Sequence, residues 1–193
     1  MISLSAPADS DHPQIFYTPE EFTDVVQHLN SSFTCPMALT ADATDYLFQI
    51  SNRHPAAAQE LMRYIYSAYQ PRIKHGEILT VAQYHVVEAL ENHATLFNSL
   101  NTYPIYRSFP SADRLTPQAV GVLRDTLLYK SIPCDLNQPG VRLCYEQGWL
   151  HSEPADPTKP EDLVCVLPSK LHERFVEFSL EARTPGFFVH RNP

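Results

Sequence analysis

The sequence predicts a mainly α-helical protein, with a helical bundle in its first part and a winged helix with a small β-hairpin in its second part. Two observations support this fold class. Apolar residues recur at intervals of three and four over most of the chain, which is the spacing of amphipathic helices. In the last third, a short helix that stops at Gly148 precedes two short strands around a proline-rich turn and a further amphipathic run. That order of elements is typical of a winged helix.

Composition indicates an ordinary globular chain with an acidic balance. Its 193 residues are 44% hydrophobic and include ten Tyr and ten Phe, which is enough for a sizeable core. Fourteen Lys and Arg stand against twenty-two Asp and Glu, a formal charge of −8. Such a charge repels a phosphate backbone, so generic nucleic-acid binding is disfavoured, while a local basic patch stays open.

Nothing in the sequence indicates a membrane or a secretory route. No apolar run reaches the roughly 20 residues that a membrane span needs. Residues 1–16 have neither a basic nor an apolar signal region, and we interpret them as a flexible tail. The four cysteines are far apart in sequence and favour buried, reduced thiols. We therefore expect an intracellular protein, cytoplasmic or nuclear.

Helix-start signals divide residues 17–103 into a bundle of four helices and a short helical turn. Each start places a Thr or a proline before an apolar stripe of helical spacing. The predicted helices run from Thr18 to about Leu29, from Thr40 to Ile50, from Pro55 to Pro71, and from Val81, with Thr80 as its cap, to Asn92, followed by a turn at 95–100.

The proline-bound segment from Tyr103 to Pro110 is predicted to be a non-helical link, which puts the boundary between the parts near residues 102–114. Residues 104–193 then form the winged helix. Its predicted parts are a helix from Thr116 to Lys130, a connector at 131–133, a helix from Pro139 to Gln147, strands at 149–153 and 163–167, a long wing loop at 154–160, and a closing helix capped by Ser169. An apolar tail at Phe187–Val189 either packs back as a strand or docks on a partner.

Nucleotide and metal chemistry are disfavoured by residue spacing. A phosphate-binding loop needs clustered glycines before a Lys-Ser/Thr pair, and the five glycines form no such cluster. The nine histidines show no zinc-binding spacing, because His85 and His93 lie about two helical turns apart. We therefore expect no ATP hydrolysis, no cofactor and no metal.

A cysteine-dependent hydrolase is a weaker alternative. Cys144 with His151, or Cys165 with His172, would supply a nucleophile and its base. Both cysteines lie in apolar runs, whereas a catalytic thiol needs partial exposure. No family-specific motif surrounds either cysteine.

The predicted helix from Pro139 to Gln147 and the wing decide between DNA and protein as partner. The helix offers Arg142 and Glu146 to base edges, which is a poor combination for contacting DNA. In and around the wing, Lys159 is the single base among four acids: Glu153, Asp156, Glu161 and Asp162. This charge balance favours a protein-docking or structural winged helix over a DNA-binding one.

Three tyrosines, Tyr64, Tyr66 and Tyr69, lie two and three residues apart on the predicted third helix. They cannot all face one core, because positions two apart on a helix diverge. Some of them are therefore candidates for an interface with a partner, where tyrosine is common. A second core face is the alternative.

Several segments resemble a known family. Asp45-Tyr-Leu-Phe-Gln-Ile-Ser-Asn-Arg-His-Pro-Ala-Ala57 resembles the lid helix pair of STAND and related AAA-type ATPases, in which a Thr-x-Gly-His-Pro-Gly-like turn joins two helices. Arg53 and Ala56 stand where that family usually has glycine. The segments Arg107–Pro110, Cys144–His151 and Leu167–Arg174 look like parts of fungal ATPase-like and Crinkler-like proteins, where they follow the nucleotide-binding core.

This resemblance covers roughly residues 17–182. It implies a lid bundle and a winged helix without the P-loop domain, and without the nuclease-like domain that follows in some relatives. Because the histidine turn of such lids lies near the nucleotide, the resemblance makes His54 a vestigial nucleotide-sensing candidate.

The leading hypothesis is a non-enzymatic intracellular module that binds protein, either an NTPase part or another partner. The alternative is a winged-helix nucleic-acid binder, such as an effector acting on chromatin.

Overall fold

The computed structural model describes residues 16–183, which form two compact units. The N-terminal unit contains residues 16–106 and the C-terminal unit contains residues 107–183. The described residues form eight α-helices, and a three-stranded antiparallel sheet lies in the C-terminal unit. This confirms a mainly helical chain in which a helical region precedes a small β-hairpin.

The N-terminal unit contains five helices and two very short strands. The helices are α1 (Pro19–Ser32), α2 (Ala41–Ser51), α3 (Pro55–Lys74), α4 (Gln83–Glu91) and α5 (His93–Leu100). Strands β1 (Ala38–Leu39) and β2 (Thr80–Val81) pair in parallel and were not predicted. Thr80, the predicted cap of the fourth helix, therefore lies in β2, and α4 begins two residues later than expected.

Helix α1 begins as its capping signal predicts. The Thr18 hydroxyl oxygen accepts the Glu21 N–H at 3.2 Å, and the Glu21 carboxylate accepts the Thr18 N–H at 2.8 Å. This reciprocal pair satisfies two of the amides that a helix start leaves without intrahelical partners. The helix ends at Ser32 rather than near Leu29, and the Ser31 and Ser32 hydroxyls donate to carbonyls of the last turns.

Helix α3 continues through Pro71, which was predicted to end it. A proline inside a helix removes the hydrogen bond to the carbonyl four residues earlier, here that of Ser67, yet α3 continues for three residues beyond it. The Pro71 carbonyl still accepts the N–H of His75 at 3.0 Å. The turn before α3 is also strained locally, because Asn52 and Arg53 have φ values of 47° and 64°.

The core of the N-terminal unit lies between the helices. Its members are aliphatic and aromatic side chains that lie at the predicted helical spacing and are at most 2% exposed: Phe22, Ala43, Leu47, Leu61, Met62, Ile65, Val86, Leu90, Leu96, Phe97 and Leu100. Burying each large side chain stabilises the fold by about 1.5–3 kcal/mol. Packing of apolar helix faces therefore holds this unit together.

The C-terminal unit begins within a 3₁₀ helix, Pro104–Ser108, where the sequence predicted a non-helical link. A 3₁₀ turn tolerates proline at its start, because its first amides have no helical acceptor. The other elements are α6 (Pro117–Tyr129), β3 (Ile132–Pro133), α7 (Pro139–Glu146), β4 (His151–Asp156), β5 (Lys159–Val166) and α8 (Lys170–Arg183).

The sheet has the strand order β3-β5-β4, and both pairings are antiparallel. Part of the predicted connector, Ile132–Pro133, is therefore a strand. The wing is shorter than predicted, because pairing continues to Asp156 and Lys159 and only two residues form the turn. The Asp156 carboxylate stabilises that turn, since it accepts the Thr158 N–H and hydroxyl, each at 2.8 Å.

Helix α7 ends at Glu146, and Gly148 adopts a φ of 72° just after it, as the glycine stop predicts. The chain then turns, and the Trp149 N–H donates to the Cys144 carbonyl at 2.9 Å. Trp149 is 2% exposed and lies in a core with residues of α6, α7, β5 and α8 and of the segments beside them: Ala119, Leu123, Leu127, Val141, Cys144, Leu150, Cys165, Leu167, Val176 and Leu180.

Helices α6 and α7 approach closely at Gly140. A Cβ atom at this position would lie 2.9 Å from the carbonyl oxygen of Gln118, which belongs to rigid backbone. Gly121, on α6, has nothing within 4 Å of the same built atom. The two glycines therefore differ in a way that a substitution can measure.

We expect Gly140→Ala to lower the free energy of unfolding of the C-terminal unit by about 1–3 kcal/mol, because α6 and α7 must separate. Gly121→Ala is the matched control and should raise it by about 0.5–1 kcal/mol, since alanine is the better helix former. Urea titration followed by Trp149, the single tryptophan of the chain, measures this unit. Equal effects of the two substitutions would contradict the close approach.

The predicted apolar tail at Phe187–Val189 lies outside the described residues. No helix within 16–183 combines the length and the hydropathy required to cross a membrane.

Candidate functional site

The three tyrosines of α3 form internal contacts of the bundle. The Tyr64 hydroxyl donates to the Ala89 carbonyl at 3.1 Å, and Tyr64 and Tyr69 are buried. The half-buried Tyr66 stacks on Phe33, with ring centroids 4.0 Å apart. Tyr64 and Tyr69 therefore lie on a second core face, which the sequence left open as the alternative, because α3 is packed on more than one face. A partner contact of Tyr66 stays a prediction.

Tyr69 connects α3 to α4 through a buried hydroxyl. The hydroxyl oxygen lies 2.7 Å from the His85 carbonyl and 2.9 Å from a carboxylate oxygen of Glu88. The hydroxyl can therefore donate its proton to either acceptor. Burial, followed by the neighbouring Glu88 carboxylate, raises the pKa of Tyr69. The phenol therefore stays protonated and keeps donating at neutral pH.

Histidine side chains cap helices in the N-terminal unit. His54 is the N-cap of α3, and its Nδ1 accepts the Ala57 N–H at 3.3 Å. His85, in the first turn of α4, accepts the Ala82 N–H through Nδ1 at 3.1 Å. An accepting Nδ1 carries no proton, so both rings contribute to helix starts as neutral groups. This geometry gives His54 a structural role that does not require a nucleotide.

A buried serine-histidine-serine chain lies in the C-terminal unit. The Ser169 hydroxyl oxygen accepts the His172 backbone N–H at 3.3 Å and lies 2.7 Å from its Nδ1. The Ser108 hydroxyl lies 2.9 Å from Nε2 of the same ring. His172 is 1% exposed and Phe109 covers it edge-on at 5.0 Å, so the chain ties residues 108–109 to α8.

The sequence paired His172 with Cys165, indicated Ser169 only as the cap of the closing helix, and gave no sign of Ser108. Ser169 and His172 lie three residues apart at a predicted helix start, and this spacing is the signal that predicts their contact. Ser108 is distant in sequence, and no local pattern predicts its contact. The Ser108–His172 distance is short enough for a nucleophile and its base, with Ser108 half-buried and the ring 1% exposed.

The thiols of the C-terminal unit are in an environment that opposes nucleophilic chemistry. Cys144 and Cys165 are fully buried. Burial raises the pKa of Cys144 to about 12, and it also raises the pKa of Cys165. A catalytic cysteine requires the opposite shift, since the thiolate is the reactive form. The cysteine-hydrolase alternative therefore gains no support from these positions.

The exposed face of α7 carries Arg142 and Glu146, as the sequence predicts. Arg142 is held against its own helix start, because its Nε donates to the Leu136 carbonyl at 2.8 Å. Glu146 lies one turn further along the same exposed face. The helix therefore presents one cation and one anion, with the cation partly engaged by the backbone.

We call residues 151–166 the acidic hairpin. Its tip protrudes, because every residue from Lys159 to Asp162 is exposed. Lys159 is the single Lys or Arg of the hairpin, and four carboxylates accompany it: Glu153, Asp156, Glu161 and Asp162. Hydrogen bonds from the backbone N–H and the hydroxyl of Thr158 lower the pKa of Asp156, so this charge persists at neutral pH. The tip is thus a compact anionic surface.

Large apolar side chains are exposed at two places. Leu79 and Tyr84 are 83% and 66% exposed beside β2 in the N-terminal unit, and Leu128 and Tyr129 are 46% and 72% exposed at the end of α6. Within residues 16–183, no group of three His, Cys, Asp or Glu side chains is arranged to hold a metal ion.

Comparison with known proteins assigns this chain to no family. No protein-family model matches the chain, and no curated protein matches it. Two structures of RuvB from Thermotoga maritima, one of a point mutant and one described as a Holliday junction branch migration motor, align at 12% identity with TM-scores of 0.35 and 0.37. Each alignment covers 79% of this chain and 46% of the RuvB chain, so the chain spans less than half of that protein. Scores this low do not establish a shared fold.

The cap formed by His85 should make the N-terminal unit sensitive to pH. Burial and the nearby Arg72 cation lower the pKa of His85, while Glu88 opposes the shift. A histidine whose pKa is lower in the folded state stabilises the fold above its unfolded pKa of about 6.5 and loses that contribution as the pH falls. We therefore expect faster amide hydrogen exchange across residues 80–92 as the pH decreases from 7.5 to 5.5, after correction for the intrinsic pH dependence of exchange.

His85→Gln should remove this pH dependence and keep the cap, because glutamine in the first turn can also reach back to the N-cap amide. His75→Gln, at an exposed position, is the control and should behave like the wild-type chain. If the His85→Gln variant keeps the wild-type dependence, the neutral cap is not its cause.

Proposed function

We propose that this chain is a non-enzymatic protein-binding module, in which the C-terminal unit is a winged helix that uses its acidic hairpin to bind a protein partner. The order α6, β3, α7, β4, β5, α8 fits a winged helix with α7 in the place of the recognition helix. The observation that carries the proposal is the charge of the hairpin, where four carboxylates surround a single lysine.

Electrostatics separate the two classes of partner. Duplex DNA carries one negative charge per about 1.7 Å of its axis, so an anionic wing would be repelled from it. A protein surface rich in Lys or Arg would instead be attracted, and complementary charge of this kind mainly increases the rate and specificity of association. The exposed carboxylates of Glu161 and Asp162 are placed for this role.

The backbone of the hairpin favours binding through side chains. β4 is an edge strand, but Pro154 within it has no N–H to offer an added strand. A partner strand could therefore form only an interrupted ladder along β4. In the same unit, the exposed Leu128 and Tyr129 offer the apolar contact area that a charged surface alone lacks.

The resemblance to STAND and AAA-type lids suggests one class of partner, a P-loop domain on a separate polypeptide or elsewhere in a longer protein. The N-terminal unit would then be the lid-like bundle, with His54 at its inter-helix turn. Four free cysteines fit a reducing, intracellular setting, either cytoplasmic or nuclear.

Quantitative affinity capture from cell extract tests the role of the hairpin. The variant E161Q/D162N removes two tip charges at exposed positions, and E20Q/D24N removes two exposed charges on α1. We expect the same partner with the wild-type chain and E20Q/D24N, and a loss of at least about fivefold with E161Q/D162N, because steering depends on local charge. Raising the salt should weaken the wild-type capture towards the level of E161Q/D162N. Equal capture by all three proteins, or no reproducible partner, would overturn the proposal.

A nucleic-acid binder and a nucleotide-binding lid are tested with purified ligands. We expect no duplex binding at physiological salt tighter than the usual non-specific range, about 10⁻⁴ to 10⁻⁶ M. We also expect no micromolar ATP or ADP binding in isothermal titration. Duplex binding that disappears in Arg142→Glu would favour the nucleic-acid alternative, and nucleotide binding that disappears in His54→Ala would favour a functional lid.

A further inference from the structure

Three of the four cysteines lie close together at the base of the acidic hairpin. Cys165 is in β5 and Cys144 is in α7, and both belong to the buried core. Cys134 directly follows β3, is half-buried and packs against that core. The fold of the C-terminal unit therefore brings together thiols that are far apart in sequence.

Cys134 and Cys165 face each other across two neighbouring strands. Ile132 pairs with Cys165, and the Cys134 N–H donates to the Leu163 carbonyl at 3.1 Å. Residues two apart on a strand share a face of the sheet, so the side chain of Cys134 lies on the face that carries Cys165. Burial first, and then the neighbouring Cys134 thiol, raise the pKa of Cys165, as expected for two thiols that lie close together.

From this juxtaposition we propose that Cys134 and Cys165 form a redox-sensitive pair, which closes into a disulfide between β3 and β5 under an oxidising disulfide such as oxidised glutathione. Cys134 is only half-buried, and its thiol therefore reacts with the oxidant first. Cys165 is the buried thiol that completes the bond.

Closure requires a small movement that the local structure permits. The two residues are diagonal neighbours, whose separation is greater than that of directly opposed residues, so the end of β3 must shift towards β5. β3 has only two residues, and Pro133 supplies no N–H to hold it. Cys144 is a poorer partner, because α7 is fixed by its close contact with α6 at Gly140.

The exchange balances in two steps. The Cys134 thiolate attacks one sulfur of oxidised glutathione, which forms a mixed disulfide and releases one glutathione thiolate. The Cys165 thiolate then attacks the Cys134 sulfur and releases the second glutathione thiolate. Two protein thiols lose two electrons and two protons, and one oxidised glutathione becomes two reduced glutathiones. Because burial raises the pKa of Cys165, the second step should accelerate as the pH rises.

Peptide mapping of the full chain identifies the bond. Trypsin releases Cys134 in residues 131–142, but it leaves Cys144 and Cys165 together in residues 143–170, because Lys159 precedes a proline. A second protease that cuts after glutamate, at Glu146 and Glu161, separates them. After incubation with oxidised glutathione and quenching of free thiols, we expect a Cys134–Cys165 linked peptide that dithiothreitol removes.

Thermal unfolding provides a second readout. The bond closes a loop that contains α7 and β4, so the oxidised wild-type chain should melt at least several degrees higher than the reduced chain, because each kcal/mol of added stability shifts the midpoint of a small domain by about 4–8 °C. Cys134→Ser should show neither the linked peptide nor the shift. Cys35→Ser and Cys144→Ser are the controls, and both should retain the linked peptide.

Three outcomes would overturn the proposal. The first is a dominant Cys134–Cys144 disulfide. The second is any internal disulfide that still forms in the Cys134→Ser variant. The third is a chain that accumulates glutathione on Cys134 without ever forming the internal bond. None of these outcomes depends on the binding role of the hairpin, so the two proposals fail separately.

Discussion

The close approach of α6 and α7 at Gly140 is the constraint on which the C-terminal unit depends. With the Gln118 carbonyl 2.9 Å from the position of a Cβ atom, no side chain fits between the two backbones. The contact places α7 so that its glycine stop, Gly148, sends the chain inward and buries Trp149. The strands that follow leave from this anchored point, and the acidic hairpin can therefore project from a rigid base. Gly140, which has no side chain, thus determines where the acidic hairpin begins.

Side chains that the sequence offers for nucleotide, metal or partner contacts stabilise helix starts and helix contacts in the structure. Neutral imidazoles at His54 and His85 accept backbone N–H groups, and the phenol of Tyr69 donates between two acceptors of α4. Leaving such a buried donor or acceptor without its partner would cost about 1–3 kcal/mol, so these contacts are obligatory parts of the fold. Histidine is suited to capping because its Nδ1 lies close to its own backbone. These histidines and this tyrosine therefore stabilise the fold through internal hydrogen bonds.

Local signals predicted local structure, and tertiary contacts account for most of the errors. The capping box at Thr18, the cap at Thr116 and the stop at Gly148 occur as expected, because each depends on residues within one helical turn. The pairs β1–β2 and β3–β5 were missed, since strands of two residues have no periodicity of their own and exist only through a distant partner. A charged side chain is also a local signal, and the sequence therefore identified Arg142, Glu146 and Lys159 as surface charges. It could not show that Tyr64 and Tyr69 are covered by another helix.

Strand β5 changes from exposed to buried along its length, and this gradient lets one hairpin serve two purposes. At its start, Lys159 to Asp162 are exposed on both faces, so their charges are determined by solvent and by any partner. At its end, Cys165 is fully buried among apolar side chains, and burial raises the pKa of its thiol. Screening limits the field of the tip to about 8 Å at physiological ionic strength, so a carboxylate there has little influence on a thiol several residues away. Binding chemistry and thiol chemistry can therefore change independently, although a single strand carries both.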